Sequence, residues 1–399
     1  PLDNEILIQS SMSLVSIGTE KMLINFSKDN LFKKAQKNPH RIKQVIDKIK
    51  NEGIKQTYSS VKNKLDDPIP LGYCNVGKVI QVGKNITNFS VDDRVVSNGA
   101  HAEFVSVPKN LVAKIPDGVS NEEAVFTIIG SIGLQGIRLM KPNFGETIIV
   151  IGLGLIGLMT CQLLKANGCN VIGIDIDQNK CDLLNKFGIK SVNSRNENFL
   201  QYINDQTNDV GADGVIITAS TRSNELISDS SKMCRKKGSI VLVGVVGLNL
   251  NREDFYKKEI KFQVSCSYGP GRYDNNYEQL GIDYPLSYVR WTEKRNFEAI
   301  LFSLDNKIID VKKLISKKVY FEEYKEIYDD LNNKDAIACI LVYPTADIDI
   351  NSQVKIKIKE TCFKDEKAVI GIVGSGNFSK MVLLPVLKKI NLNIKYLGS

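Results

Sequence analysis

The sequence predicts an α/β chain: a β-rich, barrel-like domain, a doubly wound parallel sheet, and the beginning of a second doubly wound unit. Three observations carry this. Short strands separated by turn glycines fill Pro70 to Lys114 (GKVIQVG, DRVVSNG, AEFVSVP). The stretch Glu146 to Lys180, ETIIVIGLGLIGLMTCQLLKANGCNVIGIDIDQNK, runs strand, glycine turn, helix, strand, acid. A further apolar strand, Ala368 to Val373, leads into Gly374-Ser-Gly376-Asn-Phe-Ser379.

Taken in order, Glu5 to Gln9 and Ser11 to Ile17 read as two short strands. Residues 27 to 67 are lysine-rich, with Val45, Ile46 and Ile49 and then Tyr58, Val61 and Leu65 at helical spacing. They read as two amphipathic helices broken at Gly53, a solvated hairpin or alternatively a lid or partner surface. The strands of Pro70 to Lys114 follow, with the alternation of a small barrel-like domain. Asn121 to Met140 reads as helical. After Asp175 come a strand from Gly214 to Ala219, a helix from Asn224 to Cys234 and a strand from Ser239 to Val245. Residues 262 to 290 are rich in Tyr, Gly and Pro. Helices over Glu293 to Leu304 and Phe321 to Leu331 and a strand over Ala338 to Tyr343 close the unit. Thr345 to Glu366 reads as a polar linker with a short alternating stretch, Val354 to Ile358. A helix from Met381 to Ile390 and a strand from Ile394 to Leu397 complete the second unit's first βαβ piece. The chain opens without Met and stops just after a strand, so it reads as a piece of a longer protein.

The glycine turn carries the chemistry. Ile148 to Ile151 is the apolar run a doubly covered parallel strand needs. Gly152 permits the tight turn, Gly154 lets backbone approach a pyrophosphate, and Gly157 lets helix pack on strand. The helix opening at Leu155 and Ile156 offers free N–H groups and the positive end of its dipole to phosphates. Asp175 follows Gly152 by 23 residues, near the roughly 20 expected for the acid that binds an adenosine ribose. A carboxylate there repels a 2′-phosphate, which favours NAD over NADP. The bland alternative is a tight turn in an ordinary α/β sheet. Gly374 and Gly376 are the corresponding small residues of the second unit.

Composition bounds the rest. The 399 residues allow two or three domains. The net charge is +8, but the lysines are interleaved with acids, so no nucleic-acid stripe is expected. No apolar run approaches the roughly 20 residues of a membrane span, and no signal peptide is visible. The eight cysteines form no CxxC pair, which fits free thiols in a reducing cytoplasm. The expected partner is a small-molecule substrate, in a homo-oligomer, with neither nucleic acid nor membrane.

The order of these parts resembles the medium-chain dehydrogenase/reductase family, the zinc alcohol dehydrogenase-like proteins, over about residues 1 to 345. The resemblance rests on Ile17-Gly-Thr-Glu20, Leu71-Gly-Tyr-Cys74-Asn-Val-Gly77, Asp93-Arg-Val95, GLGLIG, Asp175 with Lys180, and Val243-Gly244-Val245. From residue 366 onward the chain resembles the start of a Gfo/Idh/MocA-type oxidoreductase. The combination is similar to bidomain oxidoreductases that accompany polysaccharide-biosynthesis genes, with PLGYCNVG, NGAHAEFVSVPKNL, SIGLQGIR and VSCSYGPGRYD as matching segments. This implies a GroES-like catalytic domain over 1–129 and 268–345, with 27–67 inserted. It implies a Rossmann NAD-binding domain over 130–267, a linker over 346–365, and the N-terminal part of a second Rossmann domain over 366–399.

The resemblance also implies a loss. Zinc members carry a Cys where this chain has Ile17, and a His and Glu where it has Tyr73 and Cys74; their third ligand position falls near Thr127. The four-cysteine lobe expected after Asn98 is absent. Catalytic zinc needs three protein ligands, so no metal is expected. Thr19 then matches the hydroxyl that starts the family's proton relay, Glu20 a second carboxylate, and Ser131 a nicotinamide contact. Tyr73 takes a ligand position and, titrating ordinarily near ~10, serves better as acid than as base. Structural roles for Thr19, Tyr73 and Glu20 weigh beside these. His101 is expected to be packed or hydrogen-bonded. Arg272, in a Gly/Pro loop that the family's geometry puts near the nicotinamide, is a candidate for an anionic substrate. The expected activity is zinc-independent, NAD(H)-dependent hydride transfer at a carbinol or carbonyl carbon of a sugar or sugar nucleotide. The alternatives are an NADPH-dependent quinone or alkene reductase and a non-catalytic nucleotide-binding scaffold.

Overall fold

The computed structural model describes residues 1–28, 70–196, 198–221, 223–330, 336–344, 369–374, 376, 378–379, 383–390 and 393–398. The helical hairpin expected over 27–67 lies outside these beyond residue 28, as does the linker. The chain divides into two compact units, Pro1–Leu23 with Pro70–Thr345, and Ile24–Ile69 with Ala346–Ser399.

The first unit opens with strand β1 (Glu5–Val15) and helix α1 (Ile17–Lys28). β1 is one strand of 11 residues, where two had been expected. The polar pair Ser10-Ser11 looked like a break. Instead the Asn75 amide donates to the buried Ser10 hydroxyl at 2.7 Å, and Ser11 Oγ donates to the Val76 carbonyl. A register shift between Ser10 and Met12 absorbs the irregularity. Ile17 begins a helix rather than ending a strand.

The strands β2 (Asn75–Val82), β3 (Arg94–Ser97), β4 (Phe104–Pro108) and β5 (Val112–Lys114) follow. Helices α2 (Asn121–Ala124) and α3 (Thr127–Met140) replace the single expected helix. Ser120 caps α2 in a capping box with Glu123.

The parallel sheet is built from β6 (Thr147–Ile151), α4 (Leu155–Ala166), β7 (Asn170–Asp175), α5 (Gln178–Asn185), β8 (Lys190–Asn193) and α6 (Phe199–Gln206). It continues through β9 (Ala212–Ile217), α7 (Glu225–Met233), β10 (Cys234–Leu242), α8 (Arg252–Tyr256) and β11 (Lys261–Val264). The short α9 (Asn275–Glu278) and the long α10 (Glu293–Asp305) lead back through β12 (Ile315–Tyr320) and α11 (Lys325–Tyr328) to β13 (Ala338–Val342). The helix expected over Phe321 to Leu331 is a 3₁₀ turn, Phe321–Glu323, followed by α11.

The two sheets have different logic. β12-β13-β1-β2-β3-β5 form a mixed, largely antiparallel sheet, with β4 also on β1. Ile6, Ile8 and Leu14 of β1 are buried against Val76, Val79, Val95 and Val107. Each such aliphatic side chain contributes about 1.5–3 kcal/mol by leaving water. The six strands β11-β10-β9-β6-β7-β8 are all parallel, so both faces need helices and the strands are continuously apolar. Strand order reverses between β6 and β9. A ligand crevice forms outside the carboxyl ends of the strands at such a switch point. This is a GroES-like β-rich domain joined to a Rossmann sheet.

In the second unit, β14 (Val369–Val373) and β15 (Asn393–Gly398) pair in parallel, and α12 (Leu384–Lys389) lies between them in sequence. Strand, helix and parallel strand make a single βαβ piece. Gly374 turns the chain at φ 90°, and Ser379 Oγ donates to its carbonyl at 2.6 Å.

Candidate functional site

The glycine turn sits at the switch point. Gly152 has φ 95°, and a Cβ there would lie 2.6 Å from the Ala219 backbone nitrogen. The Thr218 hydroxyl, at the end of β9, donates to the Gly152 carbonyl at 2.6 Å and pins the turn. A Cβ at Gly157 would lie 1.9 Å from the Gly152 carbonyl oxygen, so only glycine lets α4 approach β6 this closely. Gly154 is different: it is the N-cap of α4, and a Cβ there would meet nothing within 4 Å. That open space in front of the helix N-terminus is where a pyrophosphate fits.

Asp175 ends β7 with only 9% of its surface exposed. Its Oδ2 accepts from the Leu153 N–H at 2.6 Å and its Oδ1 from the Asp177 N–H at 3.0 Å. Two backbone donors thus fix the carboxylate beside the glycine turn and leave lone pairs for ribose hydroxyls. Leu155 and Ile156 open α4, and Lys180 stands partly buried on α5. Across the switch point, the Val243 and Gly244 N–H groups both donate to the Ile217 carbonyl. Val245 bridges to Ser220 and is 58% exposed. Ser131 is fully buried, and its hydroxyl donates to the Thr127 carbonyl of its own helix.

The β-rich domain supplies a second cluster. Tyr73 OH donates to Thr19 Oγ1 at 3.3 Å, and Ser16 Oγ donates to the same oxygen at 3.3 Å. Burial pushes the Tyr73 phenol well above its ordinary range, with Cys74 and Glu20 adding to it against the hydrogen bonds of Ser16 and Thr19. Glu20 is fully buried. It accepts from the Ser16 N–H at 3.0 Å and from the Tyr328 hydroxyl. His101 Nε2 lies 3.2 and 3.3 Å from its two oxygens, and His101 Nδ1 lies 2.7 Å from Ser13 Oγ. Ser13 Oγ continues to Tyr343 OH at 2.9 Å. His101 and Tyr328 also line a cavity of about 430 Å³ with Leu71, Phe321, Tyr324 and Leu341.

The positions expected from the resemblance to hold zinc offer poor donors. The Cys74 thiol is buried and held well above its usual range by desolvation and by Glu20. Thr127 is buried and donates to the Ala124 carbonyl. Among the described residues, no three His, Cys, Asp or Glu side chains stand together as a metal-holding group. The seven described cysteines are free.

Comparison with known proteins agrees with this architecture. The zinc-binding dehydrogenase family model matches residues 156–281. D-guloside 3-dehydrogenase of Escherichia coli (strain K12) is 29% identical over 269 residues, covering 65% of this chain and 72% of that protein. Sorbitol dehydrogenase of Bacillus subtilis (strain 168) is 25% identical over 317 residues, covering 70% and 82%. The solved structure of alcohol dehydrogenase TADH from Thermus sp. ATN1 superposes with a TM-score of 0.67 at 18% identity, over 86% of this chain and 94% of that one. This chain is an oxidoreductase, similar over its first unit to the zinc-binding dehydrogenases.

In this oxidoreductase the motif residues Gly152, Gly154, Gly157 and Asp175 come together, as do Thr19, Tyr73 and Glu20. Arg272 stands apart from that cluster and is already engaged: its Nη1 pairs with Glu278 Oε1 at 2.5 Å, and its guanidinium lies over the rings of Tyr268 and Tyr273. His101 is packed and hydrogen-bonded, as its place before a strand suggested. Sequence reasoning missed Thr218 and the partners of Glu20. Thr218 could have been found from its place where β9 meets the switch point. His101 and Tyr328 lie 81 and 308 residues from Glu20, too far for any local signal. No helix among the described residues is long and apolar enough to cross a membrane.

Proposed function

We propose that this chain is a zinc-independent, NAD(H)-dependent dehydrogenase acting at a carbinol or carbonyl carbon of a sugar or polyol derivative. The observation that carries the reading is Asp175, held by the Leu153 and Asp177 N–H groups next to the open N-terminus of α4. A fixed carboxylate accepts both ribose hydroxyls of NAD and repels the 2′-phosphate of NADP. The sugar or polyol assignment rests on the names of two relatives, a guloside and a sorbitol dehydrogenase.

When bound, the nicotinamide supplies or takes up the hydride. This chain's residues must manage the accompanying proton. The Tyr73 phenol, raised by burial, keeps its proton at neutral pH and is positioned on Thr19. Tyr73 donates to the carbonyl oxygen as the carbon accepts hydride, leaving a neutral alcohol; Thr19 and Ser16 stabilise the phenolate, which regains its proton from solvent. Glu20 holds His101 and Tyr328 behind this pair, and it orients rather than transfers. In this reading the side chains at Ile17, Tyr73, Cys74 and Thr127, the first of which has no ligating atom, do not make a zinc site, and no step needs one.

Turnover on a panel of keto sugars and polyols tests this. Chelator-treated protein, checked for metal content, is expected to reduce a keto sugar with NADH. Tyr73→Phe is expected to lose about 10²–10⁴-fold in kcat, the usual size of a general-acid contribution, while keeping NADH affinity. Because the phenol is raised, the rate is also expected to hold through pH 10. Activity that appears only with added zinc, or that survives Tyr73→Phe unchanged, contradicts the proposal.

A further inference from the structure

The chain contains a single tryptophan, Trp291, just before the N-terminus of α10. Two guanidinium groups lie on its ring, Arg138 of α3 at 3.4 Å from the centroid and Arg290 at 3.9 Å. Two groups this close to one centroid must occupy opposite faces of the indole. Among the described residues neither arginine forms an ion pair with a carboxylate. Burial, and then the charge of Arg290, hold Arg138 down to about 10. Two like charges are thus gathered with π-face attraction, and no carboxylate among the described residues, to offset their repulsion.

The sandwich is also pre-organised. Arg138 Nε donates to Asn296 Oδ1 at 2.7 Å. This fixes the plane of the guanidinium and leaves its two terminal nitrogens to donate elsewhere. Asn296 Nδ2 in turn donates to the Tyr268 carbonyl at 2.8 Å, and Tyr268 OH accepts from Asn98 of the β-rich domain at 3.2 Å. Arg290 is exposed. Surplus positive charge on planar forks, one fixed and one accessible, is what recognition of a multivalent oxyanion requires.

We propose that Arg138, Trp291 and Arg290 form a binding site for a phosphate or diphosphate group, with the indole as the spacer between the two forks. The group binds at the rim of the ring, accepting from the terminal nitrogens of both arginines. The site uses none of the residues assigned to the nicotinamide nucleotide or to proton transfer, so it does not rest on the dehydrogenase reading. Through Asn296, occupancy would stiffen the loop carrying Tyr268.

Trp291 reports on its own site. The full chain, free of nicotinamide nucleotide, is titrated at constant ionic strength with inorganic phosphate and separately with pyrophosphate, exciting at a wavelength where tyrosine is silent. A saturable change in tryptophan emission is expected, with half-saturation at least tenfold higher in Arg290→Gln and intermediate in Arg290→Lys. Arg290 is exposed, so its replacement leaves the fold intact, and a circular dichroism spectrum checks that. No saturable change with either anion overturns the proposal. So does a change that Arg290→Gln leaves unaltered, because the anion then binds elsewhere, as at the glycine turn.

Discussion

Glu293 is fully buried, and both carboxylate oxygens lack a hydrogen-bond partner among the described residues. Burial first, and then the charge of Glu278, push it up to about 8, against the opposing pull of Arg272. A carboxyl raised in the folded state favours folding while protonated. Its contribution is complete below the unfolded value, near 4.5, and is lost as pH rises towards 8. The full shift corresponds to about 5 kcal/mol. The dipole of α10, at whose first position Glu293 stands, returns roughly 1 kcal/mol to the ionised form. Glu293→Gln is therefore expected to flatten the fall in urea midpoint between pH 5 and pH 9 and to raise the midpoint at pH 9. An unchanged pH profile would mean that the carboxyl is solvated. None of this was legible in the sequence, where Glu293 is one acid among many at a helix start. Asp175 is the opposite case, because its spacing from Gly152 and its place after an apolar strand identify it locally. For Arg272, a candidate for an anionic substrate, the sequence neighbourhood hides the pairing with Glu278 across a turn that only the fold closes.

At the scale of elements, the glycines of the turn make separable predictions. Gly157→Ala forces a methyl into the Gly152 carbonyl, so it must push α4 away from β6. Such overpacking costs about 1–3 kcal/mol or more, and thermal unfolding should report it without any ligand. Gly154→Ala meets no atom of the protein. Its melting temperature is expected to stay within about 2 °C of the parent's, while nicotinamide nucleotide affinity falls because the methyl intrudes where the pyrophosphate approaches. Equal loss of stability in both variants would contradict this reading of the turn. The element map was legible wherever periodicity was local: β6, α4 and β7 fall within the stretch that predicted them. It failed at β1, where two serines imitate a turn but are satisfied by Asn75 and Val76 of a strand some 65 residues away. It failed again between α2 and α3, where nothing in the apolar run around Val125 and Phe126 announces a break.

At the scale of the molecule, barrel and Rossmann sheet are joined through α3. Ile128 and Ile129 belong to the same buried cluster as Ile6 and Val76 on one side and Ile148 and Leu158 on the other. A shared core predicts that the two domains of the first unit unfold in one cooperative transition. Ile129→Ala, costing about 2–5 kcal/mol, should then lower far-ultraviolet ellipticity and nucleotide binding at the same denaturant concentration. Two separated transitions would contradict it. The domain order was visible in the sequence because each motif is local. The closing network of Glu20, His101, Ser13 and Tyr328 was not, because it assembles residues from both ends of the unit.

The central claim is an NAD-selecting dinucleotide site, and paired fluorescence titrations of NADH and NADPH into the parent protein and Asp175→Ala test it most directly. NADH is expected to bind at least tenfold tighter than NADPH to the parent, and the preference is expected to be lost in the variant. Equal affinities in the parent, or a preference that survives removal of the Asp175 carboxylate, would contradict it.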